Sequence, residues 1–321
     1  MATMRASCSP LAARAGCGSA FAAHGRQAVS LGKAGLFGQR GSRSVTAVQR
    51  SRGFPVGLSA LALFQTDAAL KAHAGYRAAK AGDASEALDL VIDLAVPWLY
   101  VHSSRLEAGL NFVAPHAQEA AGDNAIPQTL AAVCAAVHRG KVDTEIVQID
   151  RVFHTGADPM ERMAARALFA GDVVPGAPYV LVDDVTNLGG TLAKLSNYIQ
   201  VYGGVVKDVV VLVNAGRNPA LVPEQRYIRL IKERFHDEFT EVFGIDAGAL
   251  TANEAKYLAD FKSIDAIRNS LAKARQEIDR RLRAKGIAPA VEATPPGTPG
   301  ATSSDSVGPA DPGNTFGQRP L

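Results

Sequence analysis

Between Tyr179 and Gly204 the chain reads YVLVDDVTNLGGTLAKLSNYIQVYGG, and this stretch limits the fold more than any other. The run Tyr179 to Val182 is apolar without alternation, which marks a strand buried on both faces. Two adjacent carboxylates, Asp183 and Asp184, follow it. Then come Gly189-Gly190, Thr191, and Leu192, Leu195, Ile199 and Tyr202 at helical spacing, closed by Gly203-Gly204. A buried strand that turns through acids and glycines into a helix belongs to an α/β architecture with a mostly parallel sheet and helices flanking it.

The flanking sequence fits that class. Ala68 to Ala81 predicts a helix stopped near Gly82. Asp83, with Glu86 three residues on, predicts a capping box for the next. Leu88, Val91, Ile92 and Ala95 line one face of that helix, and Pro97 is expected to end it. Leu110 to Ala114 reads as a strand. Pro127 suits a helix's first turn. Leu130, Val133, Cys134 and Val137 form that helix's apolar stripe, with Gly140 as its stop, so Cys134 reads as a packing residue. Glu145 to Ile149 and Val209 to Val213 read as further strands. From Leu221 to Leu282 the chain is helical and charge-laced, and Asn253 to Phe261 suits packing on the sheet. Ile264, Ile267, Leu271, Ile278 and Leu282 form a stripe that fits a homodimer contact or a helix resting on its own domain.

The two ends differ from this middle. Residues 1–66 lack any Asp or Glu but carry Lys33 and seven arginines. They read as a basic flexible extension or a targeting segment, so the expected compartment is the cytoplasm, or an organelle if they are a transit peptide. Residues 286–321 hold seven of the chain's 17 prolines, a composition that predicts disorder. The folded domain is therefore expected at residues 67–285, with extra helices at both its ends.

Composition removes several classes. No apolar run approaches the roughly 20 residues of a membrane helix. Three cysteines at no ligand spacing make neither a disulfide framework nor a zinc module. Among the basic residues of the start the only aromatics before Arg50 are Phe21 and Phe37, too few for stacking on bases, so no nucleic-acid partner is expected. A small-molecule substrate remains.

The turn after Val182 is suited to one. Ligands of open α/β sheets bind beyond the carboxyl ends of the strands. A helix start offers unpaired N–H groups and a positive dipole end to a phosphate. Glycines let the backbone come close to it. Paired acids can accept hydrogen bonds from sugar hydroxyls or help hold a hydrated Mg²⁺. Neither a G-x-x-x-x-G-K-[ST] loop nor a strand-linked G-x-G-x-x-G is present.

The run Val180-Leu181-Val182-Asp183-Asp184-Val185 through Gly189-Gly190-Thr191 resembles the PRPP-binding signature of type I phosphoribosyltransferases. The resemblance is specific around this motif and weaker across roughly residues 90–215. It implies the type I phosphoribosyltransferase-like fold, with PRPP as co-substrate and Mg²⁺ as cofactor. It implies that Asp183 and Asp184 meet the ribose hydroxyls and serve as catalytic and metal-side carboxylates. It also implies that Thr186, Asn187, Leu188, Gly189, Gly190 and Thr191 wrap the 5′-phosphate. The pyrophosphate loop would run from Ala114 to Asn124 and contain His116 and Glu119. A basic hood would span about Arg151 to Gly176, with Arg151, His154, Thr155, Arg162 and Arg166. Arginine suits pyrophosphate because it is permanently charged and binds in bidentate fashion.

Two positions depart from the family's pattern. Several purine enzymes carry an Asp general base where this chain has Asn187, and Asn cannot take a proton. Leu188 replaces a common Thr and removes a hydroxyl. The expectation is a phosphoribosyltransferase transferring to a nucleobase or amine with release of pyrophosphate. Its alternative is a catalytically altered module that binds PRPP or a ribose phosphate in a regulatory role. No segment stands out for base recognition; Phe153, Phe169 and Tyr198 are aromatic candidates whose commoner role is core packing.

Overall fold

Strand β8 (Pro178–Thr186), which contains the apolar run, lies in the middle of a five-stranded sheet in which every pairing is parallel. The computed structural model describes residues 48–115, 118–119, 122–150, 156–284 and 286, all within the unit Val45–Leu321. In chain order the elements are β1 (Ala60–Phe64), α1 (Ala68–Ala72), α2 (Tyr76–Lys80), α3 (Ala84–Val101), β2 (Asn111–Val113), β3 (Gln118–Glu119), β4 (Gly122–Asp123), α4 (Ile126–Val137), β5 (Lys141–Val142), β6 (Val147–Gln148), α5 (Pro159–Ala164), β7 (Phe169–Ala170), β8, α6 (Gly190–Val201), β9 (Val205–Asn214), α7 (Gln225–Phe235), α8 (Glu238–Phe243), α9 (Ala252–Ala259) and α10 (Ile264–Ala284).

The sheet order is β1-β9-β8-β2-β5. The chain moves from β2 outward to β5, then returns across β2 to β8 and continues to β9. The winding therefore reverses between β2 and β8, and a crevice opens there beyond the carboxyl ends of the strands.

Three apolar clusters hold the structure. Leu90, Val91, Leu130 and Cys134 of α3 and α4 pack on one face of the sheet against Phe112, Val180 and Val182. Leu192, Leu195 and Ile199 of α6 pack on the other face against Leu181, Val209 and Val211. A third cluster joins α5 to α7–α10 and takes in Leu188 from the loop after β8. Burial pushes the Cys134 thiol up to about 12, so it is a packing residue as expected. Phe169 and Tyr198 belong to the second cluster.

Several expectations are corrected. Residues 48–66 lie inside the fold and not outside it: β1 pairs with β9, Phe54 is buried, and Arg50 is 0% exposed. Pro97 does not end its helix, because α3 runs on to Val101. Carrying on past the proline keeps Leu99 buried, which offsets the loss of one backbone hydrogen bond. The helix expected over 68–81 is two short ones, divided at Gly75, where a Cβ would overlap the Glu86 carboxylate. Asp83 caps α3 through the N–H groups of Ser85 and Glu86. The strand expected at 145–149 is displaced. The sheet takes Lys141–Val142, and Val147–Gln148 pairs antiparallel with Phe169–Ala170 instead. The cause is local, since Asp143 Oδ1 accepts from the N–H groups of Glu145 and Ile146 and turns the chain between them. In α10, Ile267 and Leu271 are buried against the chain's own helices. No helix among the described residues is long and apolar enough to cross a membrane. The segments expected to be disordered or flexible, 1–47 and 287–321, lie outside the described residues.

Candidate functional site

A cleft of about 340 Å³ lies at the reversal point and is lined by the end of β8, the loop after it and the first residues of α6. Asp183, Asp184, Thr186, Asn187, Leu188, Gly189, Gly190 and Thr191, the residues singled out in the sequence, are brought together along its lining. Gly189 is the N-cap of α6 at φ +80°, a left-handed conformation that favours glycine. Among the described residues no side chain caps that helix, and its first residues, Gly190 to Leu192, line the cleft. A Cβ on Gly190 would lie 3.0 Å from Glu254 Oε1, so the turn is also closely packed from behind.

The two acids have different surroundings. Asp184 is 4% exposed and its oxygens are engaged. Oδ2 takes the Lys80 ammonium at 2.9 Å and the Asn124 side-chain amide at 3.1 Å. Oδ1 accepts the Val185 N–H at 2.8 Å. Asp183 accepts the Asp184 N–H through Oδ1 and lines the cleft. Burial, and then the neighbouring Asp184, hold the Asp183 carboxyl well above the usual carboxylate range. Asp184 is thus held by donors on both its oxygens, whereas Asp183 lines the cleft.

The loop is clamped from the C-terminal helices. Thr251 Oγ1 donates to the Leu188 carbonyl at 2.6 Å, and the Asn253 amide donates to the Asn187 carbonyl at 2.9 Å. Thr251 and Glu254 form a capping box on α9. Behind it sits a buried charge cluster. Arg50 forks onto both oxygens of Glu254, Arg166 lies 3.6 Å from the same carboxylate, and Lys194 of α6 is close by. Burial opposes ionisation of Glu254, but Arg50 and Arg166 together hold it below its ordinary value. Burial and then the neighbouring arginines bring Lys194 down to about 8. Burial, and then Arg50, bring Arg166 down to about 9.

Of the expected hood, Arg162 and Arg166 line the cleft. Arg162 Nε donates to the Ala157 carbonyl at 3.1 Å, and burial lowers its pKa. Arg166 belongs to the buried cluster and sits over the Phe243 ring at 5.8 Å. Arg151, Phe153, His154, Thr155 and His116 lie outside the described residues, as does the side chain of Glu119. On the opposite wall, α1 and α2 contribute Lys71, Tyr76 and Lys80. Lys80, Thr251 and Asn253 were not visible as site residues in the sequence, whereas Asn124 closes the expected pyrophosphate loop. Only Thr251-x-x-Glu254 carried a signal, the capping-box spacing.

The expected Mg²⁺ can be tested against these contacts. Asp184 already carries an ammonium, an amide and a backbone N–H, and among the described residues no three His, Cys, Asp or Glu gather as metal ligands. The residues fit a resident divalent ion poorly.

The fold and cleft define an α/β protein with a five-stranded parallel sheet and a crevice at its reversal point. Among particular proteins, the chain is 37% identical over 219 residues to Protein TraN of Escherichia coli, which covers 66% of this chain and 49% of TraN. It thus spans about half of TraN's length. It is 35% identical over 130 residues to an uncharacterised protein of Haemophilus influenzae, covering 40% of this chain and 29% of that one. Over 60 residues it is 30% identical to a hypoxanthine/guanine phosphoribosyltransferase of Methanocella arvoryzae, covering 19% of this chain and 31% of that protein. No family model matches the sequence.

Proposed function

We propose that the protein binds PRPP and transfers its phosphoribosyl group to a small acceptor, a nucleobase or an amine. The observation that carries this reading is the side-chain-free helix start at Gly190, placed a few residues beyond a ligand-facing Asp183 at the sheet's reversal point. The short match to a hypoxanthine/guanine phosphoribosyltransferase supports it. In this reading the backbone N–H groups from Asn187 to Thr191 hold the 5′-phosphate. Asp183 accepts from the ribose hydroxyls, and Arg162 faces the pyrophosphate. The bond between C1 and the pyrophosphate oxygen breaks as the acceptor's lone pair forms the new bond to C1. Fixed donors at the pyrophosphate stabilise the charge that it gains. Any Mg²⁺ in the reaction would be carried by the pyrophosphate itself, where it supplies charge neutralisation. Asn187 offers no base, so the acceptor's proton leaves to solvent or to another group.

A second reading has its own support. Asn187 cannot act as a base and Leu188 is turned into the C-terminal cluster, which suits a module that binds PRPP or a ribose phosphate without transfer. One experiment separates the two. PRPP is titrated calorimetrically into the full chain and into the Asp183→Asn/Asp184→Asn variant, followed by an assay of pyrophosphate release across nucleobases and amines. Micromolar binding lost in the variant, together with release on one acceptor, supports transfer. Binding without release supports the regulatory module. No binding by the folded wild type rejects both.

A further inference from the structure

We propose that Lys80 takes the place of a divalent metal ion on the Asp183–Asp184 pair, so that the cleft is charged for a sugar phosphate without a protein-bound metal. The proposal rests on the sugar-phosphate reading above for its ligand, but not for its chemistry. Two adjoining carboxylates at a strand end repel one another and require positive charge nearby. The sequence pattern assigns that charge to Mg²⁺. The structure supplies it from the chain.

The ammonium is built in rather than resting on the surface. Lys80 ends α2, and the preceding Ala79 is 0% exposed in the core that also holds Val182 of β8. The Ala79 carbonyl accepts the Ala125 N–H at 3.0 Å, which fastens α2 to the start of α4. That bond brings Lys80 and Asn124 together on one oxygen of Asp184, at 2.9 and 3.1 Å. Direct ligation of a metal by Asp184 would mean stripping a salt bridge from a carboxylate only 4% exposed. Mg²⁺ sheds its waters reluctantly and demands near-octahedral geometry, so it competes poorly for such an oxygen. Asp183 is left as the carboxyl that meets the sugar.

The test uses Mn²⁺ as the probe, titrated into the full chain and followed by electron paramagnetic resonance. Wild type should leave Mn²⁺ free up to about 1 mM, whereas Lys80→Met should bind it about tenfold tighter or better. Lys80→Gln, which keeps a donor to Asp184, guards against a fold defect in the methionine variant. Lys80→Arg keeps the charge and should behave as wild type. Tight Mn²⁺ binding by wild type that is lost in Asp183→Asn/Asp184→Asn would overturn the proposal. So would folded Lys80→Met and Lys80→Gln proteins that bind no more Mn²⁺ than wild type. A parallel titration with ribose 5-phosphate, in EDTA and in Mg²⁺, reads the sugar-phosphate function separately. Wild-type affinity should change less than about threefold between the two buffers, and Lys80→Met should gain about tenfold from Mg²⁺. Absence of ribose 5-phosphate binding by every protein, with the Mn²⁺ pattern intact, would reject the sugar-phosphate reading and leave the role of Lys80 supported.

Discussion

Thr251 Oγ1 donates to the Leu188 carbonyl at 2.6 Å, so the first turn of α9 holds the loop that follows β8. The same hydroxyl accepts the Glu254 N–H at 3.0 Å as the N-cap of α9. One side chain thus starts a helix and fixes the loop between β8 and α6. Thr251→Val removes both bonds while keeping the shape. We expect a stability loss of about 1–2 kcal/mol from the lost cap and the orphaned carbonyl. We also expect ribose 5-phosphate to bind several-fold more weakly. Urea unfolding and calorimetry on one preparation check both. A full stability loss with unchanged affinity would show that the clamp is structural only.

Gly216 tests the loop from the other side. A Cβ there would overlap the Asn187 carbonyl oxygen and the Asn253 side-chain amide. Gly216→Ala must therefore push Asn187 away from Asn253 or bend β9's exit. The expected result is a fold that stays cooperative, with sugar-phosphate affinity down about tenfold, a cost of about 1.4 kcal/mol. Unaltered binding would place the ligand away from Asn187.

What the sequence revealed of this site was what lay close together along the chain. Asp183, Asp184, Gly189 and Gly190 could be read because a strand, a turn and a helix start within a dozen residues impose their own geometry. Lys80 and Thr251 could not, because each reaches the site only through folding, from α2 and the start of α9, and the bond from Asn124 of the expected pyrophosphate loop to Asp184 is likewise made only by the fold. Leu188 read as a lost phosphate contact, yet its side chain packs with the C-terminal helices. Strand β1 was hidden by its neighbours: the acid-free composition of residues 1–66 outweighed the short apolar run ending at Phe64. The strand at 145–149 was misplaced because one side chain, Asp143, redirects the backbone. The alternation of apolar strands and striped helices was robust, since it reflects burial repeated over many residues.

Arg50 gives a sharper test of the boundary near residue 48. It is 0% exposed and forks onto Glu254, which is 1% exposed. Removing one partner of a buried pair leaves an uncompensated charge. Arg166, at 3.6 Å, relieves part of it. Arg50→Met should therefore cost about 3 kcal/mol, at the lower end for broken buried pairs. The loss should shrink in acid. Arg50 and Arg166 hold Glu254 below its ordinary pKa, so its contribution is present above that value and fades as pH falls through the depressed one. Urea denaturation at neutral and acid pH measures this. A variant as stable as wild type at neutral pH would return residues 48–66 to the status of an appendage.

Asp183 should carry the opposite sign. Burial and then Asp184 raise its carboxyl well above the ordinary carboxylate range. At pH below that ordinary range the group is protonated in both the folded and the unfolded chain, and it does not affect stability. As pH rises, the unfolded carboxyl ionises first and the folded one resists. Stability is lost across that interval until the pH exceeds the raised pKa. Asp183→Asn removes the ionisation. The variant should match wild type in strong acid and melt a few degrees higher at neutral pH without ligand. Its sugar-phosphate binding should fall sharply, as stability is gained where function needed a strained charge. Melting curves across pH, with and without ribose 5-phosphate, read both effects. A variant that melts lower than wild type at neutral pH would mean that Asp183 is stabilised as an anion in the folded chain, and that the two acids do not divide their roles as described.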